Sequence, residues 1–140
     1  MKKKHDPSIF IYVEPGVVQE ALARVDAVDL SRQAQLLKVS TELSAEEIRR
    51  VEVSYRRWLA LNLCYPNLSL SPSQEVDIFW HYHILDTPRY RCDCGEIFGK
   101  YLDHSPSFDA EASSAKFEVT RQLWQFHFGE TLHASGNCDS

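Results

Sequence analysis

The chain has 140 residues, 44% of them hydrophobic and 25% charged, with a net charge of -5 and a pI near 5.6. That is the size of one domain and the composition of an ordinary globular protein with enough apolar material for a core. The acidic balance excludes nucleic acid as the main partner, since gripping phosphate backbones needs a basic face, and no apolar run is long enough for a membrane span.

In chain order, Lys2-Lys3-Lys4 reads as a solvated end rather than a docking patch. Ile9 to Val13 is too short for the apolar part of a signal peptide, and Glu14-Pro15-Gly16 interrupts it. It is expected as a short strand or extended arm. The chain therefore reads as cytoplasmic, where Cys64, Cys92, Cys94 and Cys138 are thiols or metal ligands and not disulfides. Val17, Val18, Ala21, Val25 and Val28 recur at helical spacing, and Asp29 is placed to cap a short helix carrying Leu30, Leu36 and Leu37.

Ser44-Ala45-Glu46-Glu47 is a capping box, with Leu43 and Ile48 placed as the hydrophobic staple beside it. Ile48, Val51, Tyr55, Trp58, Leu59 and Leu63 then form one apolar stripe, and Pro66 limits the helix. Ser71, Pro72 and Gln74 predict the start of another helix, whose stripe is Val76, Phe79, Trp80, His83 and Ile84. Asp86 or Thr87 caps a third, starting at Pro88, with Tyr90, Cys94, Ile97, Phe98 and Tyr101 inward. Pro106 breaks the chain after it. A last helix over 113–128 carries Phe117, Leu123, Trp124 and Phe128, with Gly129 as its C-cap. The sum is an all-α bundle of five to six short helices: an N-terminal arm over 1–16, a single helical domain over 17–130 and a polar, disordered tail over 131–140.

Residues 76–106 hold three of the six histidines and two of the four cysteines. Imidazole and thiolate are the usual ligands of zinc and similar metals. Residues two apart on a helix point about 200° apart, at roughly 100° per residue. His81 and His83 therefore cannot easily share an ion, and neither can Cys92 and Cys94. The stripes turn His83 and Cys94 inward, and His104 lies on a loop able to fold back towards them. His83, Cys94 and His104 are the trio best placed to converge, with His81 joining only if its helix unwinds. Asp77, one turn before His81, suits a carboxylate orienting that imidazole. Such N and S donors favour zinc, with iron as the alternative. The structural alternative makes His83 a neutral core histidine, Cys94 plain packing and His104 a helix terminator. His5, His127 and His133 are isolated and carry no assigned role.

The run Val76-Asp77, Trp80-His81, His83-Ile84-Leu85-Asp86-Thr87, Tyr90, Asp93-Cys94, Phe98-Gly99 and His104-Ser105-Pro106 resembles the signature core of the glycine-rich domain-containing protein-like family. SYRRWLAL at 54–61 and FEVTRQLWQFHFGE at 117–130 resemble that family's flanking helices. The resemblance covers roughly residues 29–130, and it implies a compact helical domain without an established activity. Its signature falls on Asp77, Trp80, His81, His83, Cys94 and His104. Only five glycines are present, and no Gly-rich tail.

Two functions follow. One is a small cytoplasmic metal-binding protein with a His/Cys site between helices, supporting metal-dependent chemistry on an unknown small molecule. The other is a non-enzymatic protein-interaction module in which the cluster is structural and aromatics such as Tyr82 or Tyr65 meet a partner. Neither involves nucleic acid or a membrane.

Overall fold

The computed structural model describes residues 11–103 and 110–133. Among the described residues six helices follow one another: α1 Pro15–Asp26, α2 Ser31–Ser40, α3 Ala45–Cys64, α4 Gln74–Leu85, α5 Thr87–Phe98 and α6 Ala110–Phe128. Among the described residues no strand forms, and Ile11 to Glu14 run extended. The protein is thus an all-α bundle. Residues 1–10, 104–109 and 134–140 lie outside the description, and with them His5, His104, Pro106 and Cys138.

The longest helix, α3, is the spine. Its capping box forms as the sequence predicts: Ser44 Oγ accepts from the Glu47 backbone N–H at 3.1 Å, and Glu47 returns a carboxylate to the Ser44 N–H at 2.7 Å. Those hydrogen bonds hold the Glu47 carboxyl below its ordinary range. Ile48, Val51, Tyr55, Trp58 and Leu59 are buried as one stripe that α1, α2 and α4 cover. Full burial of each such large side chain contributes about 1.5–3 kcal/mol.

On the flank of α3, Arg56 reaches the end of α1. Its Nη1 donates to the carbonyls of Val25 and Val28 at 2.9 and 3.0 Å, while Glu52 holds the same guanidinium at 2.7 Å. The last carbonyls of a helix lack partners within it, so a fixed arginine here both satisfies α1 and locks it to α3. Asn62 donates to the Trp58 carbonyl one turn back.

Several boundaries differ from the periodicity. Ser73, not Ser71, caps α4, its Oγ accepting from the Val76 N–H at 3.3 Å. The Ser71 carbonyl instead accepts from Thr120 of α6 at 2.8 Å. Helix α5 stops at Phe98 because Gly99 takes a left-handed φ of 73°, a conformation that glycine adopts without a Cβ clash. Tyr101 therefore leaves the stripe and is 46% exposed. Val17 is also outward, since Val18, Ala21 and Val25 set the buried face of α1. Asp29 bonds the Ser31 N–H at 3.0 Å, but Leu30 occupies the N-cap position of α2.

Candidate functional site: a buried tyrosine–histidine–aspartate chain

Helix α4 buries Val76, Phe79, Trp80 and His83 on one face. Helix α5, entered through the sharp Asp86–Pro88 corner, buries Tyr90, Asp93, Cys94 and Ile97. The two inward faces meet over Tyr55 of α3, and that meeting sets the polar geometry. The Tyr55 hydroxyl lies 2.8 Å from His83 Nδ1, and Asp93 Oδ2 lies 2.8 Å from His83 Nε2. A carboxylate offers only lone pairs, so Nε2 carries the proton and donates to Asp93. Nδ1 is then an acceptor, and Tyr55 donates to it.

All three side chains are buried, with His83 1% exposed. Burial pushes the His83 pKa below its ordinary value, outweighing the opposing pull of the Asp93 carboxylate. Burial also raises the Tyr55 pKa well above a normal phenol, which keeps it a donor. The aromatic cage is dense: His83 meets the rings of Tyr55 and Tyr90 edge-on, at 5.8 and 4.9 Å between centroids. Buried polar groups are stable when every donor and acceptor is used, and both nitrogens of this imidazole are used.

A second polar string starts at Tyr90. It accepts from Trp80 Nε1 at 2.8 Å and donates to the Leu102 carbonyl at 2.6 Å. Cys94 sits beside it, its thiol next to Tyr90 and the Leu102 backbone, and burial raises its pKa. The segment after α5 thus folds back over that helix. At the corner between α4 and α5, fully buried Gln33 of α2 donates to Asp86 at 3.2 Å. Arg32 also meets this carboxylate, at 3.0 Å.

The predicted site residues separate accordingly. His83 and Cys94 both point inward, as helix phase requires, and they share Tyr90 as a neighbour. His81 and Cys92 are exposed, and Asp77 is half-buried. His104 lies outside the described residues. Among the described residues no group of three His, Cys, Asp or Glu side chains is arranged to hold a metal ion. Tyr65, expected as an exposed contact, is buried at the end of α3. Its hydroxyl accepts from the Val13 N–H at 2.9 Å and bonds His127 Nε2 at 2.7 Å. Tyr82 is half-buried.

Helical spacing places Asp93 and Tyr55 on inward stripes without marking either for a chemical role. Asp93 shares the face of Tyr90, Cys94 and Ile97 by spacing alone, so a carboxylate on an apolar stripe was the available signal. A surface cleft of about 410 Å³ beside Tyr12, Phe126 and Leu132 is distant in sequence from this cluster and includes none of it.

Fold and site together define an all-helical domain whose central helices are joined by a buried Tyr–His–Asp chain. The chain belongs to the UCP032817-like family, whose model matches residues 20–133. It is also similar to Glycine-rich domain-containing protein 1 of Arabidopsis thaliana, 31% identical over 74 residues. That match covers 49% of this chain and 9% of the plant protein, so the chain spans only a small part of its relative's length. No solved structure matches it.

Proposed function

We propose that this domain is a non-enzymatic protein-interaction module in which the histidine and cysteine cluster is structural. The observation that carries this reading is the double engagement of His83, with Tyr55 on one ring nitrogen and Asp93 on the other. A metal ligand needs a free lone pair on nitrogen. Here the one acceptor nitrogen is taken by a buried hydroxyl, and displacing it would strand that hydroxyl at a cost of about 1–3 kcal/mol. Catalysis fits poorly as well, because a substrate has no route to an imidazole buried on all sides. What the chain does accomplish is to fix the rotation of α4, so that a defined outer face is presented.

The cytoplasm suits this reading, since Cys64, Cys92 and Cys94 are free thiols. No helix of the described residues is long and apolar enough to cross a membrane.

The competing reading is a zinc or iron site from His83, Cys94 and His104, with His81 recruited. Metal analysis of protein purified without a histidine tag separates the two. The structural reading expects no stoichiometric metal and a melting temperature indifferent to chelators. It also expects His83→Ala to lower stability without changing metal content. Stoichiometric zinc or iron that disappears in His83→Ala while the fold persists would overturn it.

A further inference from the structure

We propose that residues 11–14 form a strap that a neutral His127 holds shut against α6 and that acid releases, a device separate from the interaction reading above. The strap runs extended from Ile11 to Glu14, and Pro15 then opens α1. Proline suits the first turn of a helix and cannot continue one backwards, so the strap stays outside α1. Two neighbouring residues fasten it. The Tyr12 ring stacks on Phe126 of α6, with 4.1 Å between centroids and 16° between planes. The Val13 N–H donates to the Tyr65 hydroxyl at 2.9 Å, and that oxygen lies 2.7 Å from His127 Nε2. His127 thus stands behind both fastenings: it follows Phe126 in α6, meets the Tyr12 ring edge-on at 6.4 Å and fixes the hydroxyl that holds Val13.

The surroundings of this ring favour its neutral form. His127 Nδ1 is buried and has no hydrogen-bond partner among the described residues. If the Tyr65 hydroxyl donates to Nε2, a proton arriving there makes the hydroxyl turn its own away. If Nε2 donates instead, the proton must go to Nδ1 and leave a buried N–H without an acceptor. The titratable groups facing Tyr65 are Tyr12 of the strap and Cys64 of α3. Of the charged groups on these elements, Glu14 is exposed, and Glu130 is bound to Arg57 at 2.9 Å. None of them acts on His127, and burial alone lowers its pKa below the ordinary 6.5. Lifting the strap takes Tyr12 and Val13 off the ring and lets water solvate its cation. Between the lowered value and 6.5 the open form therefore binds more protons than the closed form, and falling pH draws the strap open. Release also removes Tyr12 from the wall of the cleft of about 410 Å³ that it shares with Gln125, Phe126 and Leu132, so the shape of that cleft follows pH.

Hydrogen exchange of the full chain, followed by NMR and corrected for the intrinsic pH dependence of exchange, tests the strap. Between about pH 7.5 and about pH 5.5 the protection of the Val13 amide should fall several-fold. The fall should not exceed about tenfold, the limit set by one histidine that titrates at 6.5 in the open form. Its midpoint should coincide with the titration of the His127 ring, read from the ring resonances in the same samples. In His127→Gln, which cannot take up the charge, the fall should disappear. Tyr65→Phe removes the acceptor of Val13, so protection should be low at both pH values and the His127 pKa should move back towards 6.5. The Leu59 amide, inside α3, reports opening of the whole bundle, and its greater protection at both pH values should mark the release as local. Val13 protection that is equal at both pH values, or that falls equally in His127→Gln, overturns the proposal. So does a midpoint away from that of the His127 ring, or a Val13 amide no better protected in the parent than in Tyr65→Phe. A Val13 amide that exchanges only together with Leu59 overturns it as well.

Discussion

Two faces of one helix, α4, carry histidines only two residues apart and use them in opposite ways. On the inner face His83 is sealed among Tyr55, Tyr90 and Asp93, and every polar atom of its ring is bonded. On the outer face His81 is exposed between Ile78 and Leu85, its ring edge-on to Tyr82 at 5.6 Å. Helix geometry alone makes this division, because a step of two residues carries a side chain about 200° around the axis. The contrast teaches that a cluster of metal-type residues in a sequence separates, once folded, into a hydrogen-bond hub and a surface.

If that division is right, substitutions on the two faces must differ sharply in cost. The largest effect is expected from His83→Ala. It strands the buried Asp93 carboxylate and the Tyr55 hydroxyl together and should lower unfolding free energy by about 3–5 kcal/mol. Urea titration with an unchanged m-value would check it. Tyr55→Phe removes one hydrogen bond and keeps the ring, so about 1–2 kcal/mol is expected in the same titration.

Acid should act on the inner face next. An unfolded chain takes up the His83 proton near the ordinary value of 6.5, while the folded chain resists until a lower pH. Between those values the unfolded state binds more protons. Stability is therefore full above about pH 6.5 and falls as pH drops through the lower folded value. His127, also shifted down by burial, adds the same sign. Comparing His83→Gln with the parent at about pH 7.5 and about pH 5.5 isolates the His83 share, and the variant should show the smaller acid loss. Smallest of all, Leu85→Glu or His81→Ala should change stability by no more than about 0.5 kcal/mol, the range for exposed positions. A cost near that of His83→Ala would break the comparison.

Much of the scaffold was legible before any coordinates. The capping box at Ser44, the apolar stripe of α3, and the inward turn of His83 and Cys94 all follow from spacing, because local bonds and the 3.6-residue period determine them. Other features depended on contacts between distant segments. Ser71 resembles an N-cap in sequence, yet its carbonyl serves Thr120 of α6 and the cap passes to Ser73. Tyr65 reads as a loop aromatic, yet Val13 and His127 close over its hydroxyl. The partners of His83 were hidden for the same reason. Tyr55 is 28 residues away on another helix, and although spacing puts Asp93 on the buried face of α5, only packing against α4 brings its carboxylate to His83.

Nitrogen-15 NMR of the His83 side chain tests the central claim most directly, because it reports the proton on each ring nitrogen. A neutral ring protonated at Nε2, with Nδ1 as acceptor and no change when zinc is added at neutral pH, is the predicted result. A ring that loses the Asp93 bond and shows a metal-bound nitrogen in the presence of stoichiometric zinc would contradict it.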